Sequence, residues 1–161
     1  MKKLVSLILI VIAFAFAASA QTPVRWRTSI SMTSPTEGVI TCKALISTGW
    51  HLYGLEMPQG GPRATTFDFS GCRGVSIEGK VTPSTAPIEQ MDPLFGKTLT
   101  WWDRNVSFSV PFKVTDRDEA AVKIVIGYMC CNGGSCTRPQ SESVTIPIPE
   151  YNPNQLSTKK K

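Results

Sequence analysis

Along most of this chain apolar and polar residues alternate. Val24, Trp26, Thr28, Ile30 and Met32 alternate with Arg25, Arg27, Ser29 and Ser31, the pattern of a strand with one face buried and one face wet. Val106, Phe108, Val110 and Phe112 repeat it against Ser107, Ser109 and Lys113, and Val122, Ile124, Ile126 and Tyr128 repeat it again. Glu142–Pro149, with Val144, Ile146 and Ile148 on one face, closes the series. Weaker strand signals cover Val39–Ile46, Trp50–Leu55, Ala64–Phe69, Val75–Val81 and Leu99–Trp102, with Pro, Gly, Asn, Asp and Ser clusters between them. No segment sustains a helical period, and Asp116–Ala121 has room for one turn. Eight or nine short strands in about 140 residues predict an all-β fold, an antiparallel immunoglobulin-like β-sandwich. No internal repeat or long linker divides the chain, so a single domain is expected over residues 21–161, its core at about 24–149.

The first twenty residues do not share this pattern. Lys2 and Lys3 precede an almost wholly apolar run, Leu4–Ala17, and small residues at Ala18–Ala20 stand before Gln21. These are the marks of a cleaved signal peptide, residues 1–20, and the run is too short for a membrane span. No cysteine follows it to carry a lipid, so the product is expected to be exported and to have no stable membrane anchor. Cleavage of 20 residues from 161 leaves 141, and loss of the two lysines lowers the formal charge from +5 to +3. Part of that charge is the tail Lys159–Lys161. A balance this mild, with no basic stripe, gives no case for a nucleic-acid partner, and none is expected.

Export permits disulfides, and the five cysteines give an odd count. Three fall in "YMCCNGGSCTRP", Tyr128–Pro139. "NGGS", Asn132–Ser135, suits a tight reversal between two strands, which sets Cys131 opposite Cys136. Counting by twos from Val122 puts Cys130 on the core side and Cys131 on the other face. The parity therefore favours a Cys131–Cys136 disulfide at an exposed tip, with Cys130 a buried thiol; a bulge beside the turn would reverse it. On loop entropy a six-residue ring adds only about 2 kcal/mol, against about 4 for a bridge from Cys42 to Cys72. Thiol–disulfide exchange, a structural staple and a metal nest all remain open on spacing. The metal reading is short of ligands, with three sulfurs and one histidine, His51. His51 reads as a structural residue, Cys42 as a buried thiol, and Trp101–Trp102 as one core and one rim residue.

Three blocks together resemble a known family, the N-terminal immunoglobulin-like domain of the thiol:disulfide interchange protein DsbD. They are "GWHLYG" (Gly49–Gly54), "DPLFGK" (Asp92–Lys97) and the cysteine hairpin, in that order, and the likeness runs from about Val24 to Pro149. The resemblance implies a periplasmic electron shuttle that works without a cofactor or metal. Cys131 and Cys136 match its redox pair, and Leu94 with Phe95 match a cap that shields the sulfurs. Asp92 matches the acidic residue of that cap, and Trp50, Tyr53 and Tyr128 match the surrounding aromatics. Its implied partners are exported thioredoxin-fold proteins and a membrane electron donor, here expected on a separate polypeptide. Pro93, Leu94 and Arg138 depart from the family pattern. The four-residue spacing within the hairpin leaves Cys130, which would give five, as the alternative first cysteine. Arg138 would favour a thiolate and Asp92 would oppose it. The competing expectation is an exported binding or structural β-sandwich whose hairpin bond is permanent.

Overall fold

The computed structural model describes residues 22–153; the expected signal peptide and the lysine tail lie outside them. Twelve strands follow one another: β1 (Val24–Met32), β2 (Glu37–Ile46), β3 (His51–Tyr53), β4 (Thr66–Asp68), β5 (Val75–Ile77), β6 (Thr82–Pro83), β7 (Ile88–Asp92), β8 (Lys97–Trp102), β9 (Val106–Val114), β10 (Ala121–Tyr128), β11 (Cys130–Cys131) and β12 (Gln140–Pro147). Every pairing between them is antiparallel. One sheet runs β1-β2-β9-β5, with β6 also on β9; a second runs β12-β10-β4; a third runs β11-β3-β8-β7. The fold is an immunoglobulin-like antiparallel β-sandwich, as the alternation predicts.

The alternating residues explain the packing. On β9, Val106, Phe108, Val110, Phe112 and Val114 are buried and meet Ile40, Cys42 and Ala44 of β2 and Val122, Ile124 and Ile126 of β10 in one cluster. Phe108 is central. Its ring lies 5.0 Å from Trp102, 5.1 Å from Phe67 and 5.9 Å from Trp26, so aromatic residues of all three sheets converge on it.

From β11 to β8 the third sheet is covered on both sides. Leu52, Trp102 and Cys130 face the main cluster, while Tyr53, Leu99 and Cys131 face outward into a second one. Met57, Phe95, Trp101, Met129 and Cys136 pack against that second cluster. Strand β7 is missing from the sequence reading because Pro87 and Pro93 bracket it and four of its five residues are exposed, so it carries no alternation. It is the edge of its sheet, where such a pattern is expected. The strand expected over Val75–Val81 stops at Ile77, and β6 then pairs with β9 separately.

Phe108→Ala is expected to lower unfolding free energy by about 3–5 kcal/mol in urea titration. Ile88→Ala, on the exposed edge, should change it by less than about 0.5 kcal/mol.

Candidate thiol-disulfide site

Strand β10 follows β12 as far as Tyr128, opposite Gln140. The chain then leaves that sheet, and Cys130 and Cys131 pair instead with Leu52 and His51 of β3. The turn closes through Asn132, whose N–H donates to Ser135 O at 3.1 Å and whose Oδ1 accepts from Gly134 N at 3.1 Å and Ser135 N at 2.9 Å. Gly133 takes a φ of 81° there, which a side chain would resist. On the return arm Thr137 N donates to Cys130 O at 2.8 Å, and Thr137 Oγ1 accepts from Cys130 N at 3.2 Å.

Between the pairs Tyr128–Gln140 and Cys131–Cys136, the outgoing arm has Met129 and Cys130 and the return arm has Thr137, Arg138 and Pro139. The extra residue thus sits on the return arm, at a proline with no N–H to satisfy. The parity of the outgoing arm survives. The disulfide joins Cys131 to Cys136, with Cα atoms 4.1 Å apart, and Cys130 is a free, fully buried thiol whose pKa burial pushes up to about 12.

The disulfide is not at an exposed tip. Because the hairpin folds onto the outer face of the third sheet, Cys131 is fully buried in the second cluster, while Cys136 remains partly accessible. Tyr53, also fully buried, places its hydroxyl 3.0 Å from Cys131 Sγ and 3.1 Å from Asp92 Oδ2. A phenol has one proton to donate, so the sulfur and the carboxylate share a single donor. Burial raises the Tyr53 pKa, and the charge of Asp92 raises it further, which keeps the hydroxyl protonated. Thr65 Oγ1 donates to Tyr53 O at 2.6 Å and fixes the strand beneath.

Asp92 is 3% exposed and has a second task. Its Oδ1 accepts from Leu94 N at 2.8 Å and Phe95 N at 3.3 Å, and its carbonyl accepts from Gly96 N at 2.8 Å. The segment expected to form a cap is therefore the β7–β8 hairpin turn, wound around this carboxylate, with Gly96 at a φ of 60°. Phe95 packs edge-on to Tyr53 at 6.1 Å. Leu94 is 50% exposed, whereas Phe95 packs against the second cluster.

The site thus brings together Cys131, Cys136, Tyr53, Asp92 and Phe95. It does not include the other two aromatics of the expected set. Trp50 packs on the main cluster, and Tyr128 belongs to it, 5.6 Å from Trp26. Strand parity is the reason, since Trp50 shares its face with Leu52, and Tyr128 with Ile126. Arg138 is exposed on the return arm. Cys42 and Cys72 are both free; Cys42 is buried, with its pKa pushed up to about 12, and the Cys72 thiol donates to Lys123 O at 3.3 Å. Met57, Leu99, Trp101 and His51 are neighbours the sequence reading did not assign to the site. For His51 the signal was present, since it shares the Tyr53 face. Among the described residues no group of three or more His, Cys, Asp or Glu could hold a metal ion.

No curated protein matches the chain. Among solved structures, the N-terminal periplasmic domain of ScsB from Proteus mirabilis shares the fold, with a TM-score of 0.63, 16% identity and 89% of this chain covered. This chain spans 54% of that one. The Neisseria meningitidis DsbD N-terminal domain in the reduced form aligns with a TM-score of 0.49 and 15% identity, over 76% of this chain and 84% of that one. The family model for the N-terminal region of the thiol:disulfide interchange protein DsbD matches residues 19–148. On that match, the chain belongs to the DsbD N-terminal domain family.

Proposed function

We propose that this chain is an exported, periplasmic thiol–disulfide interchange module, a single domain after its signal peptide, and that Cys131 and Cys136 carry its electrons. The observation that carries the reading is the asymmetry of the pair. Cys136 is within reach of a partner, while Cys131 is fully buried beside the Tyr53 hydroxyl. Exchange requires in-line attack on one sulfur and departure of the other.

A partner's thiolate attacks Cys136 Sγ, the Cys131–Cys136 bond breaks, and its electron pair leaves on Cys131. Tyr53 O–H is placed to donate to that sulfur as it takes up charge. The partner's second thiol then displaces Cys136, leaving the partner with a disulfide and this chain with two thiols once protons are taken from solvent. In reverse, the Cys136 thiolate attacks a partner disulfide and Cys131 resolves the intermediate. The chemistry needs only the sulfurs and no cofactor.

Thioredoxin-fold exported proteins and a membrane electron donor are the partners that family membership suggests. The surface supports contact beside the cap. Ile88, Met91 and Leu94, the exposed large hydrophobic residues of the described chain, all lie on β7 or its turn, so a partner seated there would touch the segment that shields the bond.

In the native cell, Cys131→Ala should accumulate mixed disulfides through Cys136, and Cys136→Ala few or none; equal yields would remove the assigned order of attack. A redox titration should show the pair reversible near cellular couples, whereas a permanent staple would resist reduction below about −300 mV. Phe95→Ala should speed reduction by glutathione by about tenfold, and Leu94→Ala by less than about twofold, because only the first uncovers the sulfurs. In the folded reduced protein iodoacetamide should modify Cys136 well before Cys42 or Cys130, whose raised pKa values and burial keep them as thiols at pH 8. Peptide mapping checks that order.

A further inference from the structure

His51 occupies the ladder position opposite Cys131, and cross-strand partners present their side chains on the same face, with Cβ atoms about 5 Å apart. Its ring is wedged between two aromatics, 5.0 Å from Tyr53 and 5.0 Å from Trp101. Within this packing Nε2 is buried and has no hydrogen-bond partner among the described residues. A buried polar nitrogen left unpaired costs free energy, and native proteins avoid it unless the group has another use.

Whether the missing partner is a donor or an acceptor depends on which ring nitrogen carries the proton. Burial lowers the His51 pKa, while the charges of Asp92 and Asp103 act in the opposite direction. At neutral pH the ring is therefore neutral, with one N–H and one lone pair. A closed disulfide has no proton to offer that lone pair. Once the bond opens, Cys131 carries an S–H on the face that His51 shares.

We propose that His51 Nε2 is the acceptor for the Cys131 thiol in the reduced protein, so that opening the disulfide satisfies a nitrogen the closed bond leaves orphaned. This rests on the proposed reading of Cys131–Cys136 as a bond that opens. A dithiol reductant supplies two electrons, the S–S bond breaks, and one proton goes to each sulfur. The proton on Cys131 then points at His51, while the sulfur itself accepts from Tyr53. His51 acts as a positioning residue that holds the released thiol and shifts the equilibrium toward the reduced form.

The test compares the wild-type protein with His51→Phe and His51→Gln, each equilibrated in dithiothreitol redox buffers at pH 7. Phe keeps the ring between Tyr53 and Trp101 and removes the nitrogen; Gln offers an amide oxygen as a substitute acceptor. His51→Phe should lower the reduced-to-oxidised ratio by about tenfold, equivalent to about 30 mV, and His51→Gln should recover most of the loss. A ratio for His51→Phe within twofold of wild type overturns the proposal. Nitrogen NMR of His51 is a second readout that needs no variant. Nε2 should be unprotonated in the oxidised protein and its resonance should move on reduction, and a proton on Nε2 in the oxidised form overturns the proposal as well. A wild-type disulfide that dithiothreitol does not reduce removes the functional reading and this one together, whereas a reversible wild-type bond with an unshifted His51→Phe variant removes this one alone.

Discussion

Adjacent residues of a strand point to opposite faces, and the sheet that ends in β11 is buried on both from β11 to β8. This constraint separates Cys130 from Cys131. Cys130 continues the row of Ile126 and Tyr128 into the main core, where burial keeps it protonated and away from solvent. Cys131, one residue later, enters a cluster with a phenol, a carboxylate beyond it and a bonded sulfur. Two neighbouring thiols of the same kind thus have different chemical prospects because both faces of one short ladder are covered. The bulge on the return arm preserves the arrangement, since an extra residue on the outgoing arm would have exchanged the two.

Asp92 links the cover to the sulfurs. One carboxylate oxygen holds the cap turn through two backbone N–H groups, and the other accepts from the hydroxyl that also faces Cys131. Charge arriving on Cys131 would draw the Tyr53 proton away from Asp92, and movement of the cap would free that proton for the sulfur. The cap turn and the sulfur are thus joined by one shared donor, the Tyr53 hydroxyl. The edge strand bearing Ile88 and Met91 leads directly into Asp92.

The long strands were legible because one face of each is wet. β1, β9 and β10 follow the alternation almost residue for residue. β7 and β11 were not legible, for opposite reasons: β7 is exposed on nearly every residue and β11 is buried on both, and neither leaves a period of two. The aromatic set shows the same limit. The family resemblance suggests Trp50, Tyr53 and Tyr128 alike, yet of these three Tyr53 alone lies in the cluster with Cys131. His51 satisfies the same parity test, although between Trp50 and Leu52 on an alternating strand it reads as a structural residue.

The bond itself contributes little to holding this region together. A ring of six residues restrains the unfolded chain by only about 2 kcal/mol, and the hairpin has other supports. Cys130 and Thr137 exchange two hydrogen bonds, Asn132 ties the turn through its own side chain, and β11 stays paired to β3. None of these contacts passes through sulfur. On the proposed reading, opening the disulfide would leave the two cysteines facing each other on a frame held by these backbone contacts, and closing it again would require no search for a partner. A staple derives its value from what it prevents from moving, whereas this bond joins residues that would remain adjacent without it. That is the physical condition under which a disulfide can be made and broken repeatedly while the fold stays the same.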